Sequence, residues 1–149
     1  MTMNLNEYFE TTKGLGVLST ADSDGRVDAA IYARPHFLED GTMAFIMRDR
    51  LTHHNLQSNP YATYLFKEDG PGYHGKRLFM SKIREEQNSE LLESLRRRKT
   101  EYGNGEDRFL VLFARHGLDE GFQIGDRRLV DLHYAAAYPE TVAGRRRSV

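Results

Sequence analysis

Two Asp-Gly pairs, at positions 24–25 and 40–41, divide the first half of the chain into short apolar segments. This pair favours the positive backbone angles of tight hairpin turns, so a strand is expected on each side of it. The segments have strand length and run from Val17 to Thr20, from Val27 to His36 and from Met43 to Arg48. The pattern therefore predicts an antiparallel meander of three strands.

The rest of the chain continues in short elements. Asn4 and Glu7 form a capping-box pattern that begins a helix, and Gly14 ends it. Two further short helices are predicted, at Thr52 to Ser58 and at Asn88 to Lys99. Five further strands are predicted, at Tyr61 to Phe66, Lys76 to Arg84, Phe109 to Ala114, Glu120 to Gly125 and Arg128 to His133. The expected fold is mainly β with short helices (α+β), an antiparallel barrel in a single domain, residues 1–149.

Composition excludes several classes of function. The formal net charge of −1 gives no field that would attract nucleic acid or an anionic membrane. The chain has no cysteine, which excludes disulfides, thiolate zinc sites and iron–sulfur clusters and is compatible with a cytoplasmic location. No signal peptide and no apolar run long enough for a bilayer is evident. The basic run Arg145 to Arg147 is interpreted as a frayed terminus.

The segment from Met47 to Asn55 takes a strand end directly into a helix N-terminus. The free N–H groups of a first helical turn favour a phosphate, Thr52 offers a hydroxyl at the cap position, and Arg48 and Arg50 offer charged hydrogen bonds. In the alternative interpretation this is a solvated corner whose arginines pair with Asp49. Spacing alone leaves both interpretations open.

Four motifs in order carry a family resemblance: Gly16 to Thr20, Asp24 to Asp28, Asp40 to Phe45 and Asn55 to Pro60. Together they resemble the pyridoxamine 5'-phosphate oxidase-like family of FMN-binding split β-barrels. The Gly70-Pro71-Gly72 loop is also similar to loops of small FMN-binding proteins in that superfamily. The likeness covers about the first half of the chain.

The resemblance implies an antiparallel split β-barrel that works as a homodimer with FMN between the subunits. It places Tyr32, Ala33 and Arg34 beside the flavin ring or ribityl chain. It assigns the phosphate-side wall to six further residues: Ile46, Met47, Arg48, Arg50, Leu51 and Thr52.

Two departures from the family pattern concern cofactor and substrate. Many members carry a basic residue at the position of Thr52, so Arg34, Arg48 or Arg50 would have to supply that charge. Pyridoxamine phosphate oxidases hold their substrate with a terminal segment that contains tryptophan, and this chain has no tryptophan. We therefore do not expect the named oxidase activity.

Three functions follow as hypotheses. The first is an FMN-dependent oxidoreductase that exchanges hydride or electrons with a small-molecule donor or acceptor. The second is a non-catalytic module that binds flavin or haem for storage, sensing or electron carriage. The third is a barrel that has lost its ligand and serves as a dimeric interaction protein. No Rossmann fingerprint is present, so a nicotinamide would be a transient substrate.

No metal site is expected from the histidines. His53 and His54 are adjacent and face different directions, so a surface role is favoured for both. The other four lie on separate predicted elements: His36, His74, His116 and His133. The tyrosines at 61, 64 and 73 are interpreted as barrel wall, although Tyr73 could approach a neighbouring flavin.

Overall fold

The computed structural model describes residues 4–96 and 108–120, and this part of the chain contains three helices and seven strands. The helices are α1 (Leu5–Thr11), α2 (Leu51–Ser58) and α3 (Glu90–Leu95). The strands are β1 (Gly14–Ala21), β2 (Val27–Ile31), β3 (His36–Phe37), β4 (Met43–Arg48), β5 (Tyr61–Glu68), β6 (Gly75–Gln87) and β7 (Arg108–Glu120).

All seven strands form one antiparallel sheet in the order β2-β1-β5-β6-β7-β4-β3. The sheet curls around an apolar interior but does not close, because β2 and β3 lie at its two edges. These edge strands follow each other in the sequence and are joined only by residues 32–35, here named the edge link. The prediction of a mainly β, antiparallel split barrel with short helices is confirmed.

The predicted meander is wrong in its middle strand. Val27 to His36 is two strands at opposite edges of the sheet, so that among the described strands β2 pairs with β1 and β3 pairs with β4. Pro35 explains part of this division because it has no N–H to donate to a strand ladder. The two hairpin turns themselves are confirmed, with positive φ at Gly25 and Gly41.

The barrel interior is filled by one cluster of apolar and aromatic side chains that includes Phe9, Phe45, Tyr64 and Phe113. Helix α1 contributes Phe9, and it begins where predicted, because the Asn4 side chain accepts a hydrogen bond from the Glu7 N–H at 2.8 Å. The helix ends at Thr11, and Gly14 begins β1 instead of ending the helix.

A second, smaller cluster covers the outside of the barrel, where α3 packs over β4 and β7. Leu92 of α3 is fully buried against Ala44, Leu110 and Leu112. The predicted helix extended to Lys99, and its last three residues lie outside the described part of the chain. The predicted strand Arg128 to His133 also lies outside it, as does Glu120 to Gly125 apart from Glu120, the last residue of β7.

Helices long and apolar enough to cross a membrane are absent from the described ranges.

Candidate functional site

The edge link is held to the barrel through Tyr32. The Tyr32 N–H donates to the Gly16 carbonyl at 3.0 Å, and the Tyr32 carbonyl accepts a hydrogen bond from the Tyr64 hydroxyl at 3.1 Å. The Tyr32 ring packs edge-on against Phe45, with ring centroids 6.2 Å apart. The link therefore has a defined backbone course at the split of the barrel.

Gly16 allows this arrangement because its backbone can lie close to the Tyr64 side chain. A Cβ at position 16 would lie 1.8 Å from the Tyr64 hydroxyl oxygen and 2.2 Å from the ring carbon that carries it. The absence of a side chain at Gly16 thus leaves the space through which Tyr64 reaches the Tyr32 carbonyl.

A cavity of about 330 Å³ opens beside the edge link. Its volume lies at the lower end of the range for small-molecule sites, roughly 300–1,000 Å³. The lining consists of Tyr32, Ala33, Arg34, His36, Phe45, Ile46, Arg96 and Arg108. Four residues predicted to bind cofactor, Tyr32, Ala33, Arg34 and Ile46, are thus brought together.

The cavity lining is basic. Three guanidinium groups and no carboxylate contribute to it among the described residues. Arg34 forms an ion pair with Glu10 at 3.4 Å, and Arg96 forms one with Glu93 at 3.0 Å. The Arg96 Nε is buried and has no hydrogen-bond partner within residues 4–96 and 108–120.

Sequence reasoning missed Arg96 and Arg108 as site residues. Arg108 reaches the cavity because β7 pairs with β4 in a register that sets Arg108 opposite Arg48. Arg96 reaches it because α3 packs across these strands and ends there. Neither relationship leaves a local signal in the sequence.

The predicted phosphate-side residues divide between three environments. Met47 is buried in the barrel interior, whereas Arg48, Arg50 and Leu51 are exposed. Thr52 is buried within the first turn of α2. The predicted capping role of Thr52 is wrong, because the N-cap position belongs to Arg50, which makes no side-chain capping bond.

The hydroxyl of Thr52 is already engaged at the start of α2. It donates to a carboxylate oxygen of Asp28 at 3.2 Å. This carboxylate supplies the negative charge that a helix N-terminus attracts, so a phosphate at Thr52 would meet a like charge. The start of α2 near Thr52 therefore does not fit a phosphate.

Tyr32, a cavity residue, lies close enough to this acidic end for its phenol to feel Thr52 and Asp28. Burial raises the pKa of the Tyr32 phenol, and the negative charge of Asp28 raises it further, against a smaller opposing effect of the Thr52 hydroxyl. The phenol is therefore held in its neutral, protonated form across the physiological range.

His53 is buried, so the surface role predicted for it is wrong; His54 is exposed as predicted. The His53 ring stacks on Phe109 with centroids 3.8 Å apart, and its Nε2 lies 2.6 Å from a carboxylate oxygen of Glu85. Lys82 bonds the other oxygen of Glu85 at 3.1 Å. Burial acts to raise the pKa of Glu85, but the hydrogen bonds from His53 and Lys82 outweigh it and lower that pKa.

The outer face of β2, β1 and β5 is apolar. The register aligns alternate residues of these strands on one side, with Ile31 opposite Val17 and Val17 opposite Leu65. Exposed side chains of this apolar face are Leu15, Val27, Ile31, Tyr61 and Leu65. An exposed apolar patch at a sheet edge is typical of an interaction surface.

Comparison with known proteins gives no matching family model and no matching curated protein. Solved structures do match in fold. HupZ from Group A Streptococcus is 14% identical, with a TM-score of 0.59 over 84% of this chain and 99% of that chain. A pyridoxamine 5'-phosphate oxidase-related, FMN-binding protein from Nostoc punctiforme is 14% identical, with a TM-score of 0.54 over 75% and 73% of the two chains.

The flavin reductase of styrene monooxygenase from Pseudomonas putida also matches. It is 9% identical, with a TM-score of 0.52 over 73% of this chain and 80% of that chain. At these identities the likeness is one of fold. The chain has the split β-barrel fold of the pyridoxamine 5'-phosphate oxidase-like, FMN-binding proteins.

Proposed function

We propose that this split-barrel chain is a flavoprotein that binds FMN beside the edge link and acts as an oxidoreductase on a small-molecule donor or acceptor. The observation that carries the proposal is the cavity itself. It combines an aromatic and aliphatic wall with guanidinium groups, as a flavin and its phosphate require. The fold shared with FMN-binding proteins and a flavin reductase supports it.

The residues present fit this cofactor. Tyr32, Ala33 and Ile46 would hold a planar apolar ring system and exclude water from it, and Arg34 would take a polar or anionic group. A bound flavin supplies hydride or single-electron transfer. The neutral Tyr32 phenol keeps a proton at the cavity wall.

The proposed activity is not that of a pyridoxamine phosphate oxidase. The chain contains no tryptophan and so lacks the terminal substrate-holding segment of those enzymes. We expect no robust formation of pyridoxal phosphate by the FMN-loaded protein.

We also propose that the protein is a homodimer. Its contact would include the apolar face of β2, β1 and β5, where Val27 is 84% and Ile31 is 72% exposed. A second copy would cover these side chains and the edge strand β2 together. The Gly70-Pro71-Gly72 loop remains a predicted part of the same contact.

A second candidate is a non-catalytic module that binds flavin or haem. His36 favours this candidate, because it lines the cavity and imidazole is a common ligand of haem iron.

The absorption spectrum of the purified protein tests the proposal. Yellow protein with a flavin spectrum that is bleached by a reduced nicotinamide would support a flavin oxidoreductase. A Soret band would support the haem module, and colourless protein that fails to bind added FMN would exclude both flavin functions.

The location of the site is tested by filling the cavity. Ala33→Arg adds a long side chain to the cavity lining, and we expect it to weaken FMN binding by at least about tenfold. Ala114→Arg makes the same change at an exposed position of β7 and serves as the matched control. Equal binding by the two variants would place the flavin elsewhere.

A further inference from the structure

We infer that Arg34, Arg96 and Arg108 form an anion-binding subsite at the α3 end of the cavity, which takes the phosphate of a phosphomonoester. The inference rests on the proposed function only for the identity of a flavin that would carry this phosphate. The subsite differs from the phosphate position predicted at Arg48, Arg50 and Thr52.

The charge of the lining is the first observation. Arg34, Arg96 and Arg108 come from the edge link, from the end of α3 and from the first residue of β7, so the fold gathers them from three separate elements. The carboxylates that pair with two of them, Glu10 and Glu93, do not line the cavity. Arginines therefore supply the positive charge of the described lining, and the forked geometry of guanidinium suits phosphate oxygens.

The buried nitrogen of Arg96 is the second observation. One of its terminal nitrogens bonds Glu93, but its Nε is buried with no partner in the described residues. A buried donor on a charged group that lacks a partner is costly, and such groups indicate an ion, water or ligand. An oxygen of a bound phosphate would satisfy this N–H from within the cavity.

The pairing of Arg108 with Arg48 is the third observation. The two residues stand directly opposite each other on β7 and β4. Cross-strand partners share one face of a sheet, and side chains alternate between the faces along a strand. This register therefore places Arg108 on the same face as Ile46, which also lines the cavity.

The surroundings of Tyr32, away from the arginines, support the same assignment. There, the negative charge of Asp28 acts on the Tyr32 phenol, and Thr52 donates to the Asp28 carboxylate. A molecule with one anionic end would avoid Asp28 and place that end at the arginines. The arginines therefore mark the end of the cavity that suits an anion.

The phosphate could belong to FMN itself or to a phosphorylated second substrate. Both sources present the same dianionic group, and the experiment separates them. It measures the binding of FMN, of riboflavin and of inorganic phosphate to the full chain. The variants are Arg96→Gln and Arg108→Gln. A third variant, Arg96→Lys, retains the positive charge but lacks the forked donors of the guanidinium group.

Two control variants accompany these. Arg84→Gln removes an arginine on the neighbouring strand β6 that pairs with Glu86 at 2.9 Å and does not line the cavity. The double variant Arg48→Gln with Arg50→Gln removes the rival phosphate position. Thermal unfolding of each variant checks that the fold is intact.

We expect the wild type to bind FMN at least about tenfold more tightly than riboflavin. This preference should be lost in Arg96→Gln and in Arg108→Gln, and it should be kept in both controls. That result assigns the subsite to the flavin phosphate. If the preference persists while binding of inorganic phosphate is lost in the same two variants, the subsite serves a second substrate. Either result supports the inference.

Unchanged phosphate binding and unchanged FMN preference in Arg96→Gln and Arg108→Gln would overturn it, as would loss of the preference in the Arg48/Arg50 variant alone. The experiment distinguishes failure of the subsite from failure of the proposed function. If the wild type binds phosphate through Arg96 and Arg108 but binds no flavin, only the proposed function is contradicted. If it binds flavin with no preference for FMN and has no affinity for phosphate, only the subsite is contradicted.

Discussion

The hydroxyl of Tyr64 donates a hydrogen bond across the barrel interior to the backbone carbonyl of Tyr32, 3.1 Å away. Tyr64 lies on β5, an inner strand of the sheet, whereas Tyr32 begins the link between the two sheet edges. This bond fixes the backbone course of the link from inside the core. The position of the cavity wall therefore depends on a residue that does not line the cavity.

Gly16→Ala is expected to destabilise the fold by about 1–3 kcal/mol, because the added methyl group overlaps the Tyr64 hydroxyl. Tyr64→Phe keeps the ring but removes the hydroxyl that donates to the Tyr32 carbonyl, and it should cost less, about 0.5–1.5 kcal/mol. Ser19→Ala, on the outer face of the same strand, is the control. Urea unfolding measures all three, and a stable Gly16→Ala variant would show that Tyr64 can move without loss.

Tyr32 is expected to ionise at higher pH than an ordinary tyrosine, because burial raises its pKa. A group whose pKa is raised on folding stabilises the folded state below its unfolded pKa, near 10, and loses that contribution as pH rises through the folded value. The wild type should therefore lose more stability above about pH 10 than Tyr32→Phe does. Tyrosinate absorbance and alkaline unfolding together measure this; parallel stability curves for the two proteins would contradict it.

Glu85→Gln is expected to lower the stability at neutral pH by about 1–2 kcal/mol, since it removes the charged partner of His53 and Lys82. The pKa of Glu85 is lowered in the folded state, so its contribution is present above the unfolded pKa, about 4.5, and is lost as pH falls through the folded value.

The stabilities of wild type and Glu85→Gln should accordingly converge in acid. Glu86→Gln, at the next position of β6, controls for the loss of a strand carboxylate. A constant difference between wild type and Glu85→Gln from neutral pH to acid would show that shape, and not charge, sets the role of Glu85.

Ile31→Lys is expected to weaken self-association by about tenfold or more, because it places a charge on the exposed edge strand of the apolar face proposed as the dimer contact. Ile83→Lys makes the same change at an exposed isoleucine of β6, outside that face. Sedimentation at micromolar concentration gives the masses. A wild-type monomer under these conditions would exclude the dimer.

The elements that could be predicted from the sequence are those specified by local chemistry. The turns at Asp24-Gly25 and Asp40-Gly41 form because these residues accept the backbone angles that the hairpins need. The α1 cap at Asn4 forms for a similarly local reason. The separation of β2 from β3 could not be predicted in this way, because it depends on which distant strands occupy the space between them.

The candidate site shows the same division. Tyr32, Ala33, Arg34 and Ile46 were implied by the family resemblance, and they share the cavity. Arg108 enters it through the long-range register of β7 on β4. His53 was assigned to the surface because its partner, Glu85, lies 32 positions away on another element.

The length of the edge link also limits the distance between the two edge strands that it joins. Five peptide units separate Ile31 at the end of one edge strand from His36 at the start of the other, and a chain of that length spans at most roughly 18 Å. The distance between the two edge strands at this point cannot exceed that span unless β2 separates from β1 or β3 separates from β4. The number of residues in the link, whatever their chemistry, therefore sets an upper bound on the thickness of anything that enters there.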